Sequence, residues 1–377
     1  MRVGIISLYY KNHNYGGLLQ AYALTNYLNS HGVDCEQISW DFMDGLKRDR
    51  NETTSYKSIG RIVKTFIISL IEHVNKKNQS KRMIAFERFE KIIPHSSKVY
   101  TRDNIEESIT EYDCFITGSD QVWNMSRYNP EQFLCFVPTS RVKLSYAASM
   151  PDLKLTKEQK KIVCDHLKTF DAVSVREKIT AEKLNEWSEK KVEWVLDPTL
   201  LLTALEWEKV ARPYEIKDDY IFCYFLGGRK DIRHIAEEFA KKIGFKIATF
   251  SHLGCTNVSD VMFGDYKIYD AAPDEFLSLI KNAKYVLTDS FHATVFSYIF
   301  KKKFFVFSRA GQENTDSRIT SLLEVFDEPE RFCNGSRFNA AYLLSLKDKA
   351  VTEEGEKFVQ MKEKSEQFLI DGIQTKK

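Results

Sequence analysis

The chain has 377 residues, of which 43% are hydrophobic and 29% charged, and its 55 basic and 53 acidic side chains give a formal net charge of +2. A chain of this length is longer than a typical domain with a single hydrophobic core, so two domains are expected. The balanced charge does not favour a nucleic-acid-binding protein. The seven cysteines are scattered without a C-x-x-C pair or a Cys/His cluster, which predicts a cytoplasmic protein with neither a disulfide framework nor a zinc site.

The first forty residues predict a parallel β-α-β unit. The apolar run over 2–8 is too short for a signal peptide and predicts a strand, a helical segment spans 18–30, and a second strand spans 34–40. Gly16 and Gly17 precede the helix, where the backbone can approach a ligand closely and the helix N-terminus favours an anion. The pair matches neither the dinucleotide nor the P-loop pattern. A phosphate or sugar loop and an ordinary tight turn therefore both remain open.

Residues 43–100 predict an insertion that contains a helix. After a polar stretch over 43–57, apolar residues recur at helical spacing over Ile59–Val74, and lysines and arginines flank them. Such a helix either lies on an anionic membrane surface as a peripheral contact or packs on its own domain, which is the commoner arrangement. No run in the chain approaches the roughly 20 apolar residues of a membrane span.

Two strand ends carry polar residues that suit ligand binding. The strand over 112–118 leads into a turn typical of a sugar-binding loop, with an ordinary capped turn as the alternative. Its hydrogen-bonding and stacking residues are Ser119, Asp120, Gln121, Trp123 and Asn124. The strand over 172–175 ends at Arg176, whose guanidinium either clamps a carboxylate or phosphate or pairs with a neighbouring acid.

A second β-α series begins after a charged segment over 205–219, which we interpret as a linker, and predicts a second domain. Its strands span 220–226, 246–250, 284–287 and 304–307, and its helices span 232–243, 273–282 and 291–300. Two such halves predict an α/β protein with two Rossmann-like, doubly wound domains. We place the N-terminal domain at 1–204, including the 43–100 insertion, and the C-terminal domain at 205–350. The remaining 351–377 predict a helix that can pack back on the N-terminal domain.

His292 lies in the first turn of the helix predicted over 291–300. Asp289 and Ser290 precede it as capping residues, at the end of the preceding strand. An imidazole among the free N–H groups of a helix N-terminus suits an acid that acts on an anionic substrate. A single histidine near a helix start is also often structural.

Six stretches, taken in order, resemble the polysaccharide pyruvyl transferase family. They read N-Y-G-G-L-L-Q-A-Y-A-L, F-I-T-G-S-D-Q-V-W-N, L-S-Y-A-A-S-M, V-S-V-R-E, V-L-D-P-T and T-D-S-F-H-A-T-V-F-S. The resemblance spans Asn14 to about Phe307. The resemblance implies a fold similar to the GT-B arrangement, with the active site in the inter-domain cleft. It implies a bacterial transferase that moves the pyruvyl group of phosphoenolpyruvate onto sugar hydroxyls as a ketal during capsule or exopolysaccharide biosynthesis. The implied acceptor is a sugar, including a lipid-linked oligosaccharide at the inner face of the membrane, and neither a metal nor a cofactor is implied.

The resemblance also assigns roles to residues. The family's functional histidine corresponds to His292 and its donor-binding arginine to Arg176, while Asp289 or Asp120 could be the base or orient the imidazole. Further donor-binding candidates are Ser290, Gly16 and Gly17, and the acceptor-binding candidates are Ser119, Gln121, Trp123 and Asn124. Some members carry an arginine just before the histidine, where this chain has Phe291. The second cation must then come from Arg309 or Arg318, with Lys301–Lys303 as a weaker choice.

Two other functions suit the same pattern. A GT-B-type glycosyltransferase that uses a nucleotide sugar needs the same architecture and polar loops. A glycan-binding protein without catalytic activity needs only the loops. Release of phosphate from phosphoenolpyruvate, release of a nucleoside diphosphate, or release of neither distinguishes the three functions.

Overall fold

The structure is a computed structural model that describes residues 1–42, 78–250, 262–309, 313–334, 338–349, 351 and 354–375. Within these residues the chain forms two compact units, each built on one parallel sheet. The first unit contains 1–42, 90–202 and 355–375, and the second contains 78–89 and the described residues of 203–354. The last helix therefore belongs to the first unit.

The strands and helices alternate along most of the chain. The strands are β1 (Arg2–Ile6), β2 (Asp34–Trp40), β3 (His95–Tyr100), β4 (Cys114–Thr117), β5 (Val142–Ala148), β6 (Ala172–Val175), β7 (Val192–Trp194), β8 (Tyr220–Tyr224), β9 (Lys246–Phe250), β10 (Tyr266–Ile268), β11 (Tyr285–Thr288), β12 (Lys303–Phe307) and β13 (Phe332–Cys333). The helices are α1 (Tyr15–Ser30), α2 (78–90), α3 (Lys157–Leu167), α4 (Lys178–Trp187), α5 (Ala204–Val210), α6 (Lys230–Ile243), α7 (Pro273–Asn282), α8 (Phe291–Ile299), α9 (Glu313–Val325), α10 (Ala340–Ser345) and α11 (Glu356–Gln374).

The first sheet has the strand order β3-β2-β1-β4-β5-β6-β7, with all neighbours parallel. The order reverses between β1 and β4, and ligands of open α/β sheets bind outside the carboxyl ends of the strands at such a switch point. Every residue of β5 is buried, as expected for a central strand covered on both faces. Helix α11 packs on this sheet, since a Cβ at Gly372 would lie 3.1 Å from Leu144.

The second sheet has the order β10-β9-β8-β11-β12-β13, again with all neighbours parallel, and reverses between β8 and β11. Its core is rich in aromatic rings that meet edge to face, such as Phe222 and Phe250 at 5.2 Å between centroids. Such pairs stabilise beyond the apolar area that they bury. The strands that carry polar residues at their ends are thus held in a rigid scaffold.

Three expectations about the chain's organisation need correction. Helix α1 begins at Tyr15 behind the N-cap Asn14, so the glycine pair lies in its first turn. The segment predicted as a linker contains α5, which the Thr203 side chain caps. The 43–100 stretch does not form one insertion in the first unit. Its strand β3 extends the first sheet, whereas residues 78–89 belong to the second unit. In that unit Arg82 Nε donates to Tyr269 O at 2.8 Å. The helix predicted over Ile59–Val74 lies outside the described residues.

Among the described residues, no helix is long and apolar enough to cross a membrane.

Candidate functional site

His292 is the second residue of α8, at the carboxyl end of β11 in the second unit. Ser290 caps this helix, its hydroxyl accepting from Ala293 N at 3.5 Å. The His292 side chain is largely buried, with the residue 8% exposed. The sequence therefore places an imidazole in the first helical turn, where backbone N–H groups favour an anion.

Asp289 ties this strand end to its neighbours. Its Oδ1 accepts from Leu226 N at 2.6 Å and its Oδ2 from Gly227 N at 2.8 Å. Arg309 approaches the same carboxylate, with Nε 3.5 Å from Oδ2, and its Nη2 donates to Asp289 O at 2.9 Å. A side chain at Gly227 would collide with Asp289, because its Cβ would lie 2.9 Å from Oδ2.

These contacts engage the Asp289 carboxylate within the protein. The residue is 1% exposed, and both of its carboxylate oxygens already accept hydrogen bonds from the backbone. A carboxylate engaged in this way is a poor base for a substrate hydroxyl. In the structure Asp289 joins the strand ends to Arg309, and its assignment as the base or as the group that orients the imidazole stays a prediction.

Arg229 makes a second link between the same strand ends. Its Nη1 donates to the carbonyl oxygen and the hydroxyl of Ser308 at 3.1 and 3.2 Å. The loop after β8 is thereby joined to the loop after β12. Together with Asp289, this contact fixes three adjacent strand ends beside the start of α8.

Arg176 lies at the carboxyl end of β6 in the first unit, and its side chain is 2% exposed. Its Nη1 donates to Asp197 Oδ2 at 2.8 Å, and Glu177 and Asp120 approach the guanidinium at 3.7 and 4.0 Å. Burial alone would lower the pKa of the Arg176 guanidinium, but the three carboxylates, Asp197 foremost, outweigh it and raise that pKa. This arrangement favours the pairing with acids that the sequence left open.

Asp197 also holds the loop after β4. Its Oδ2 accepts from Ser119 Oγ at 2.9 Å, and its Oδ1 accepts from Thr199 N at 3.0 Å. Ser119 is fully buried. The Ser119 hydroxyl is thus engaged within the protein, and its assignment to the acceptor stays a prediction.

Asp120 is the least buried of the three carboxylates near Arg176, with its side chain 15% exposed. Its backbone has φ 68°, a left-handed conformation that is strained for a residue other than glycine. Gly17 lies next to Asp120, since a Cβ there would be at an ordinary contact distance of 3.5 Å from Asp120 Oδ2. The first turn of α1 and the loop after β4 therefore meet at this carboxylate.

The remaining residues of the same turn have different surroundings. Gln121 and Asn124 are partly exposed and lie within hydrogen-bond reach of each other, with Asn124 Nδ2 3.4 Å from Gln121 Oε1. Trp123 is fully buried, its ring stacks on Phe133 at 5.1 Å between centroids, and its Nε1 donates to Gln132 O. The Trp123 ring thus packs in the core against Phe133, and its assignment to the acceptor stays a prediction.

Comparison with known proteins identifies the family. Residues 14–311 match the polysaccharide pyruvyl transferase family. The chain belongs to this family. It is accordingly a transferase that acts on polysaccharide, and no curated protein sequence matches it.

Solved structures that resemble this transferase include an epimerase and a protein in complex with UDP. The UDP-GlcNAc 2-epimerase from Methanocaldococcus jannaschii is 14% identical with a TM-score of 0.52, over 98% of this chain and 99% of the other. The S. aureus MnaA–UDP structure is 11% identical with a TM-score of 0.51, over 99% and 98% of the two chains. At such low identity the likeness concerns the fold alone. The predicted class, α/β with two Rossmann-like domains of the GT-B type, is confirmed.

The structure brings together most of the residues chosen from the sequence, in two groups. Asp289, Ser290, His292 and Arg309 lie at one edge of the second sheet, while Gly17, Ser119, Asp120 and Arg176 meet in the first unit. Arg318 is buried on α9, and its assignment to the donor stays a prediction. Residues that were missed as members of these groups are Ser149, Glu177, Asp197 and Arg229. Each lies within five residues of the end of a strand, and that position alone could have identified them.

Substitution of Trp123 separates a core role from a sugar-stacking role. We expect Trp123→Phe to lower the free energy of unfolding by about 1–2 kcal/mol, because it removes packing and one hydrogen bond. The KM for the acceptor should stay within about twofold of that of the parent protein. Urea unfolding and steady-state kinetics measure the two quantities, and a large rise in acceptor KM without loss of stability would support the stacking role.

Proposed function

We propose that this transferase moves the pyruvyl group of phosphoenolpyruvate onto two hydroxyls of a sugar, as a ketal, in the biosynthesis of a bacterial surface polysaccharide. Membership of the family supports pyruvyl transfer. The observation that carries the proposal is the placement of His292 in the first turn of α8, with Arg309 held beside the same strand end by Asp289. The proposed acceptor is a glycan in free or lipid-linked form, at the cytoplasmic face of the membrane.

The donor needs groups that bind a carboxylate and a phosphate. The first turn of α8 supplies backbone N–H groups, with Ser290 at its start, and Arg309 supplies a guanidinium. The Arg309 side chain is 18% exposed, and its hydrogen bonds within the described residues use only part of its five N–H donors. Some family members carry an arginine just before the histidine, where this chain has Phe291. Arg309 thus supplies the second cation for the donor.

His292 acts in this proposal as the general acid. It protonates the methylene carbon of the donor, which leaves an oxocarbenium-like centre at the former enol carbon. One sugar hydroxyl adds to that centre, phosphate leaves, and the second hydroxyl closes the ring. The two protons lost by the hydroxyls balance the one gained by the methyl group and the one carried off with phosphate. A well-placed acid typically contributes about 10²–10⁴-fold to the rate.

Asp120 acts as the base for the acceptor hydroxyl. It is more exposed than Asp197 and Glu177, and its strained backbone is the kind of feature that occurs at functional sites. Gln121 and Asn124 supply partly exposed amides that suit sugar hydroxyls. Arg176 positions this loop through Ser119 and Asp197, and the chemistry requires no cofactor beyond phosphoenolpyruvate.

The direct test of this function identifies the phosphorus-containing product that the reaction releases. The protein is incubated with a panel of free and lipid-linked glycans and either phosphoenolpyruvate or UDP-sugars, and products are observed by ³¹P NMR. We expect inorganic phosphate from phosphoenolpyruvate only when a competent acceptor is present. Release of UDP instead would indicate a glycosyltransferase, and the absence of both products with every acceptor would favour a glycan-binding protein.

Substitution of Arg309 tests the donor assignment. We expect Arg309→Lys to raise the KM for phosphoenolpyruvate about 10–100-fold, because an ammonium lacks the bidentate fork and a hydrogen bond to a charged group is worth about 1.5–3 kcal/mol. The acceptor KM should change far less. Arg212→Lys, at an exposed arginine of the same unit, is the matched control. Equal changes in the two KM values would count against the assignment.

A further inference from the structure

Glu177 is a buried carboxylate that the proposed chemistry does not use. It is the second residue after β6, is 2% exposed, and accepts a hydrogen bond at Oε1 from the hydroxyl of Ser149. Its other oxygen, Oε2, is buried and has no hydrogen-bond partner among the described residues. Burying a carboxylate is costly, so the contact with Ser149 calls for a functional explanation.

Ser149 connects Glu177 to the turn that carries Asp120. The Ser149 N–H donates to Asp120 O at 2.9 Å, and Ser149 O accepts from Trp123 N at 3.2 Å. A β-bridge between Asp120 and Ala148 adds to this pairing. The backbone of Ser149 thus holds both ends of the 120–123 turn, while its side chain is held by Glu177.

The turn needs such support because one residue in it and one residue close to Ser149 have a strained backbone conformation. Asp120 and Ala147 have φ of 68° and 52°, and non-glycine residues keep left-handed conformations only where their surroundings enforce them. The Asp120 side chain also depends on this backbone for its direction. Any loosening of Ser149 would let the turn relax and move the carboxylate.

We propose that Glu177 is a positioning residue that acts through the Ser149 hydroxyl to hold Asp120 in the orientation required of the acceptor base. The inference rests on the proposed function, since it takes Asp120 as that base. Glu177 also lies 3.7 Å from Arg176, so a purely electrostatic role as a counter-ion is the competing explanation. The two roles depend on different properties of the side chain, namely its hydrogen-bond acceptor and its charge.

Four variants separate these roles. Glu177→Ala and Ser149→Ala should each lower kcat about 10–100-fold, because a small misplacement of a reacting group has effects of this size. The double variant should be no slower than either single one. Glu177→Gln, which keeps an acceptor for Ser149 without the charge, should rescue most of the lost kcat, and KM for phosphoenolpyruvate should hardly change. Glu182→Ala, at an exposed acid of α4, is the control.

The opposite pattern would overturn the proposal. If Glu177→Gln is as slow as Glu177→Ala while Ser149→Ala keeps its kcat, the charge is what matters. Amide hydrogen exchange of 119–124 provides a readout that is independent of activity, and both alanine variants should speed it. Faster exchange with no turnover of phosphoenolpyruvate by the parent protein would reject the proposed function but retain the link to Asp120. Unchanged exchange would reject the link.

Discussion

We expect His292→Ala to lower kcat with phosphoenolpyruvate and a competent glycan by about 10²–10⁴-fold, the usual contribution of a positioned general acid. The protein should remain folded, because the substitution occurs at a helix start whose cap, Ser290, is unchanged. The KM for phosphoenolpyruvate should change less than kcat, because α8 keeps its N–H groups and Arg309 keeps its contacts with Asp289. Steady-state kinetics with both substrates varied measure these parameters.

A matched control distinguishes this effect from a general effect of losing a histidine. His234 lies on α6, with its side chain 70% exposed, and His234→Ala should leave kcat unchanged. His292→Gln keeps a polar group at the same position but cannot transfer a proton, so it should be nearly as slow as His292→Ala. Turnover by His292→Ala within a few-fold of the parent protein would remove His292 from the chemistry.

Arg176→Ala should lower the free energy of unfolding by about 3–5 kcal/mol. The substitution would leave Asp197, whose side chain is fully buried, without its partner at 2.8 Å, and removing one member of a buried ion pair has an effect of this size. Four of the five tryptophans lie in the first unit, so fluorescence during urea unfolding reports mainly on that unit. Replacing both partners, as Arg176→Met with Asp197→Leu, should restore part of the stability.

Kinetic measurements decide whether Arg176 also binds the donor. Under conditions where the variant is folded, we expect kcat to fall because Ser119 and Asp120 lose their support, with little change in KM for phosphoenolpyruvate. If the variant instead keeps its stability and has a strongly raised KM for phosphoenolpyruvate, the positioning role is wrong. Arg176 would then be the donor clamp that the family resemblance implies, rather than a positioning residue.

The sequence predicted the central elements of both sheets well. Strands β2, β6 and β9 and helix α7 have the expected bounds. For β6 and β9 the reason is that short apolar runs between turn residues are typical of buried parallel strands. The first sheet's edge strand β3 was missed because its sequence, H-S-S-K-V-Y, is mostly polar. Exposed edges carry little of the apolar pattern on which such predictions depend.

The chemistry of the site was harder to predict than its location. Strand ends and helix starts indicated His292, Asp120 and Arg176, but the partners of these residues lie elsewhere in the chain. Asp197 is 21 residues from Arg176, and Leu226, which donates to Asp289, is 63 residues away from it. Spacing along the chain does not encode such contacts. The surroundings of Trp123 could not be predicted for a similar reason, because its partner Phe133 belongs to the core beneath the turn.

The most direct test of pyruvyl transfer follows the carbon atoms of the donor. The protein is incubated with uniformly ¹³C-labelled phosphoenolpyruvate and glycan acceptors, and the acceptors are analysed by mass spectrometry and ¹³C NMR. We predict that the acceptor gains the mass of labelled pyruvate less one water, with a ketal carbon bonded to two sugar oxygens, and that His292→Ala loses this product. An acceptor that gains a sugar from a nucleotide donor, and never carries the label, would contradict the proposed function.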